Sequence, residues 1–133
     1  MTPVAWTSTS RAEDLATLAL RDLTTAADNV EYRIIGGHMV NFHQALHPEL
    51  DIAYRSTADA DAGIACEAVI ANRLDARLRA IGYDRPEGNR FTHWAGSDVR
   101  TIDVLVDDRT PKRHNIKVGS IVADAARGLS LAL

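Results

Sequence analysis

The chain has 133 residues, enough for one domain with a core of its own, whereas two domains would each be marginal. Its composition, 46% apolar and 25% charged with a net charge of −3, is that of an ordinary globular protein and carries no basic excess that would point to nucleic acid. One cysteine, Cys66, excludes an internal disulfide and a multi-cysteine metal site. No apolar run approaches the roughly 18 residues that span a bilayer, and no charged start leads into an apolar segment at the N-terminus. The expectation is a cytoplasmic protein without a membrane partner.

Residues 1–9 read as a loose leader. Ser10-Arg11-Ala12-Glu13 has the form of a capping box, in which each side chain satisfies the other's backbone donor. Ala12, Leu15, Ala16, Ala19, Leu23, Ala26 and Ala27 follow at helical spacing and predict an amphipathic helix over 11–28, ended by Asp28-Asn29. Val30 to Ile35 predicts a short strand with Ile34-Ile35 in the core. Gly36-Gly37 then turns the chain into a second helix, from Gly37 to about Leu46, with Met39, Val40 and Phe42 among its core contacts and Pro48 as its stop.

After a connection over 47–54, residues 55–62 alternate and predict a second strand. Arg55, Thr57, Asp59 and Asp61 share one face of it, and Ser56, Ala58, Ala60 and Ala62 the other. A stripe of Cys66, Val69, Ile70, Leu74, Leu78 and Ile81 predicts one helix over 65–81, stopped by Gly82. Phe91 to Trp94 predicts a strand, Gly96-Ser97-Asp98 a hairpin turn, and Arg100 to Val106 a second arm. In that arm Ile102, Val104 and Val106 face one way, and Thr101, Asp103 and Leu105 the other. Residues 112–133 form a tail, with an edge strand at Ile116–Val118 and a short helix at Ile121–Arg127 closed by Gly128. The apolar Leu129–Leu133 is expected to pack on the core, to meet a partner (a second copy or another protein), or to be the stump of a longer protein.

Two carboxylates two residues apart on a strand lie side by side, which suits a divalent cation. Asp103, on a strand whose neighbours face the core, is a third. Three such acids from two adjacent strands hold one or two Mg²⁺, and two ions stabilise both the attacking and the leaving oxygen of a phosphoryl displacement. Asp103 is also placed to accept a proton from an attacking hydroxyl. Amides at a helix start bind phosphate oxygens, which gives Gly36-Gly37 a role, and Arg55 adds a fork of donors. The bland alternatives are solvated acids on an open sheet face, a tight turn without ligand, and a surface arginine. His43 and His47, four apart, are the zinc alternative, without an evident third ligand. His38 and His93 read as exposed histidines, Cys66 as a core residue, and Lys112, Arg113 and Lys117 as a solvated basic group.

Gly-Gly at a strand-to-helix turn, the run Arg55-x-Thr57-x-Asp59-x-Asp61 and a later strand with the single Asp103 together resemble the nucleotidyltransferase fold. The Arg-x-Thr element is most similar to abortive-infection type nucleotidyltransferase toxins of bacterial toxin–antitoxin systems and their uncharacterised relatives. The resemblance covers roughly residues 30–107. Many members carry a serine where this chain has Gly37, and Ala62-Gly63-Ile64-Ala65 offers little to grip a base.

The resemblance implies one α/β (α+β) domain over residues 1–133, a small mixed sheet with helices packed mainly on one face. It implies Mg²⁺ and transfer of a nucleoside monophosphate from a nucleoside triphosphate to a hydroxyl, which in the toxins is the end of a tRNA. Asp59, Asp61 and Asp103 are then the catalytic and metal-binding residues, and Gly36, Gly37, Arg55 and Thr57 the phosphate- and nucleotide-binding ones. The alternative is a minimal or shortened domain of this fold that catalyses nothing and acts through a protein partner.

Overall fold

A computed structural model describes residues 3, 5, 7–84, 86–107, 115–118 and 121–126. In chain order the elements are α1 (Arg11–Ala26), β1 (Tyr32–Ile35), α2 (Gly36–Leu46), β2 (Ala60–Ile64), α3 (Cys66–Asn72), α4 (Leu74–Ala80), β3 (Arg90–Ala95), β4 (Asp98–Asp107), β5 (Asn115–Val118) and β6 (Ile121–Ala126). The strands form one mixed sheet in the order β1-β2-β4-β6-β5, with β3 also paired to β4. β2 pairs parallel with β4 along Ile102–Val106, while β3 runs antiparallel beside Asp98–Asp103 and β6 parallel beside Val106–Asp107. β3 and β6 therefore share the edge of β4 that β2 does not use. The outcome is the small mixed α/β fold expected, with helices packed against the sheet.

Strand alternation sorts the side chains. Ala60, Ala62 and Ile64 of β2 and Ile102, Val104 and Val106 of β4 are all fully buried on one face, with Phe91 of β3 beside them. Helix α1 packs across β2 and β4, and its Ala19, Leu20, Leu23 and Ala26 complete the same core with Leu74 and Leu78 of α4. Small alanines on β2 let the helix come close, and the apolar area removed from water is the main favourable term. The next residues along each strand, Asp61 and Asp103, must then point to the opposite face. Among the described residues, no helix is long and apolar enough to cross a membrane.

Several local expectations are corrected. Ser10 Oγ caps α1 by accepting from Glu13 N–H at 3.2 Å, but the Glu13 carboxylate accepts from Thr9 N–H and Thr9 Oγ1, at 2.6 and 2.9 Å, so the box is only half formed. The Thr9 amide above all, together with hydrogen bonds from Tyr54, Thr9 and Ser56, outweighs burial and holds that carboxyl below its usual range.

The predicted helix over 65–81 is two helices. Arg73 takes a left-handed conformation (φ 56°, ψ 47°) that ends α3, re-aims Leu74 and Leu78 into the core and leaves Ile70 exposed. Gly82 is the expected stop, at φ +106°. Residues 121–126 form strand β6 rather than a helix, because pairing with β4 and β5 outweighs a weak local preference. Leu129–Leu133, Lys112, Arg113 and His114 lie outside the described residues.

Candidate functional site

The register of three strand pairs builds the site. Ile35 of β1 lies opposite Asp61, Asp61 opposite Asp103, and Asp103 opposite Arg90. Residues in register point to the same face, so Arg90, Asp103 and Asp61 form a charged row across neighbouring strands about 5 Å apart. Asp59 joins the row from the bend just before β2. Carboxylate oxygens of Asp59, Asp61 and Asp103 all come within 4.8 Å of one another. Among the described residues this is the one group of three or more His, Cys, Asp or Glu that gathers in this way.

The predicted strand over 55–62 begins only at Ala60. Arg55, Ser56 and Thr57 belong instead to an extended connection, pinned to α2. The buried Asn41 side chain donates from Nδ2 to Arg55 O at 2.7 Å and accepts from Arg55 N–H on Oδ1 at 2.9 Å, as a strand partner would. Thr57 Oγ1 donates to Asp59 O at 3.0 Å, which shapes the bend that carries Asp59. Thr57 is nearly buried and its Cβ lies 2.7 Å from where a Cβ on Gly37 would sit, so only glycine lets α2 approach this segment. Gly36 opens α2 at φ +64°, and a Cβ there would overlap Asp61 Oδ2. The glycine pair is thus required by close packing against two of the expected site residues.

The buried face of α2 differs from expectation. His38 and Asn41 are buried, Met39 is exposed and Phe42 is half-buried against the core. The helix presents its polar side to the connection because that segment's backbone needs partners. Burial pushes the His38 imidazole below its ordinary pKa, with Asp59 and Glu13 acting in the opposite sense. His93 is half-buried rather than solvated, edge-on to the Tyr83 ring at 5.3 Å. His43 and His47 stack at 6.3 Å, and His47 Nδ1 pairs with Glu49. These two histidines gain no third ligand among the described residues.

Gly37, the Arg55–Asp59 segment and Asp61 line an open pocket of about 390 Å³. The first turn of α2 borders it, and the leading amides of a helix have no intrahelical acceptor. Arg55 is exposed at its rim. Burial first, then the Asp59 and Asp103 charges, push the Asp61 pKa up to about 6 against the pull of Arg90. The crowding marks a site short of positive charge.

Arg90 was not singled out by sequence reasoning, nor was Asn41. Arg90 donates from Nε and Nη2 to the two oxygens of Asp103, at 2.9 and 2.7 Å, and Nη2 also lies 3.5 Å from Asp59 Oδ2. Counting back along the hairpin from its two-residue Gly96-Ser97 turn places Arg90 opposite Asp103, so the signal was available. Asn41 carries no such signal, since a polar residue on a helix says nothing of the loop it will meet.

No protein-family model matches the chain, and no curated protein matches it. Among solved structures, the chain is similar to the STING-associated CdnE c-di-GMP synthase from Capnocytophaga granulosa, at 16% identity with a TM-score of 0.46. The similarity covers 86% of this chain and 42% of that one, so this chain spans less than half of that protein's length. A likeness at this level assigns no activity, and the functional reading rests on the residues of the site.

Proposed function

We propose that the chain is a divalent-cation-dependent nucleotidyltransferase domain, moving a nucleoside monophosphate from a nucleoside triphosphate to a hydroxyl and releasing pyrophosphate. One observation carries the reading: the oxygens of Asp59, Asp61 and Asp103 gather within 4.8 Å of one another beside the first turn of α2. The donor set fits Mg²⁺, a hard cation that takes oxygen ligands, and the Asp61 pKa, raised by burial and then by the Asp59 and Asp103 charges, marks a carboxylate that a cation would help to ionise. Such an ion, when bound, supplies charge neutralisation and polarises a phosphoryl oxygen.

The chain's own residues do the remainder. Asp59 and Asp61 hold the cation, and Asp103 either joins them or accepts the proton of the attacking hydroxyl. The amides of Gly36 and Gly37 face phosphate oxygens, and Arg55 contributes its guanidinium fork from the rim. Thr57, whose hydroxyl is engaged by the Asp59 carbonyl, supports the nucleotide pocket as part of its wall. The finer reading, a toxin-like enzyme that modifies the end of a tRNA, concerns the acceptor.

Incubation of the chain with Mg²⁺, each α-labelled nucleoside triphosphate and a cell extract tests the proposal. Label on tRNA supports the toxin-like reading. Label on another RNA, a protein or a small molecule supports transfer with a different acceptor. No labelling by wild type, or equal labelling by Asp59→Asn with Asp61→Asn, overturns the activity.

The second reading, a domain of this fold without catalysis that acts through a partner, is favoured by one observation. Arg90 already neutralises Asp103, as it would in a site that had exchanged its metal for an arginine. Absence of cation binding would select it.

A further inference from the structure

The Arg90 side chain pairs with two of the three acids of the cluster. Its Nη2 touches Asp103 Oδ2 at 2.7 Å and approaches Asp59 Oδ2 at 3.5 Å, so one nitrogen bridges two of the acids. A cation shared by Asp59 and Asp103 needs that space. Among the described residues, no other arginine or lysine pairs with these acids. The arginine is also free to leave. Its backbone is fixed by reciprocal hydrogen bonds with Glu87, both 3.0 Å, while its side chain is 53% exposed on the first residue of β3. Asp103, by contrast, is only 14% exposed and sits in mid-strand. A guanidinium keeps its charge at every accessible pH, so its departure needs a competing cation rather than a proton.

We propose that Arg90 is the resident counter-ion of the Asp59–Asp61–Asp103 cluster and is exchanged for the divalent cation, swinging to solvent as the ion enters. The proposal rests on the cation-binding reading above. Two consequences follow. The metal-free protein avoids the full repulsion of Asp61 beside Asp103. Cation affinity is set below what three carboxylates alone would give, because the ion must displace a charge-assisted, two-pronged pair.

Free Mn²⁺ measured by electron paramagnetic resonance during titration of wild type, Arg90→Ala and Arg90→Gln decides the matter. Arg90→Gln keeps the stem to Cδ and a hydrogen-bond donor while removing the charge, should Arg90→Ala fold poorly. Both variants are expected to bind Mn²⁺ about tenfold more tightly than wild type. Both should also melt below wild type without metal and regain the difference with saturating Mn²⁺. Equal or weaker binding by the variants, with wild type still binding, overturns the exchange and leaves the cation site standing. No Mn²⁺ binding by any of the three proteins overturns the cation-binding reading itself, and the exchange with it.

Discussion

The Asp61 carboxylate fills the space that a Cβ on Gly36 would need, with Asp61 Cγ 3.0 Å from that position and Oδ2 closer still. The register explains it: Ile35 pairs with Asp61, so the residue that follows Ile35 and turns into α2 must cross directly over the acid. The φ of +64° there adds a second demand for glycine. Gly36→Ala is expected to destabilise the fold by about 1–3 kcal/mol from backbone strain, with more from the overlap. Urea denaturation gives the value. Combined with Asp61→Ala, which removes the overlapping group, the loss should be less than the sum of the two single changes. Additive losses would show that the two residues do not collide.

The acids themselves should report cation binding through stability. Mg²⁺ is expected to raise the melting temperature of wild type, since an ion that binds only the folded chain stabilises it by mass action. Asp59→Asn, Asp61→Asn and Asp103→Asn should each blunt that rise and lower nucleotidyl transfer by at least about 100-fold. Circular dichroism of each variant checks that the fold persists.

Asp61 gives a pH dependence of known sign. Its folded pKa of about 6 lies above the ordinary 3.8, so the folded state binds the proton more readily. Metal-free stability from this group is therefore highest below about pH 4 and falls as pH rises toward 6. His38 acts the other way: its buried, depressed imidazole contributes above the ordinary 6.5 and loses that contribution as pH falls. The curve for wild type minus that for Asp61→Asn isolates the first effect, which should amount to about 1 kcal/mol after solvent screening. A flat difference between pH 4 and 6 would refute the assignment.

Asn41 should matter to the site without touching any ligand. Asn41→Ala removes both hydrogen bonds to Arg55 and is expected to destabilise the fold by about 1–3 kcal/mol. Faster amide hydrogen exchange confined to residues near Arg55–Asp59, and weaker cation binding with it, would follow from a loosened pocket wall. Unchanged exchange there would mean that other contacts hold the segment.

A structural network away from the acids serves as the control. Asp22 Oδ2 accepts from Tyr83 Oη at 3.0 Å and from Arg100 Nη1 at 2.9 Å, joining α1 to β4 and to the loop after α4. Asp22→Ala leaves both donors unpaired and is expected to reduce stability by about 1–3 kcal/mol while cation affinity stays unchanged. A change in Mn²⁺ affinity would reveal a coupling that these contacts do not suggest.

Much of the local structure was legible along the chain. The stripe from Ala16 to Leu23, the glycine pair after an apolar run, the Gly96-Ser97 hairpin and the alternation of Ile102, Val104 and Val106 each carry their own periodicity or turn chemistry. The misreadings have a common origin. Residues 55–59 alternate like a strand, but the backbone at Arg55 pairs with the side chain of Asn41 and Thr57 bonds to Asp59 O. The 65–81 stripe continues through Arg73, yet a left-handed residue there serves the core better. Residues 121–126 follow the strands beside them. In each case a partner distant in sequence overrode the local preference.

The sequence by itself determined that Asp103 stands on the face opposite the core, because side chains alternate on a strand and its neighbours are apolar. It also determined that Gly36-Gly37 must turn sharply between a strand and a helix. Only the tertiary structure decided that β2 lies parallel beside β4 in the register that puts Asp61 next to Asp103, and that Arg90 closes the row. Strand pairing between distant segments is set by how Ala60, Ala62, Ile102 and Val104 pack together beneath α1, and a slip of one residue would send the acids to the other face.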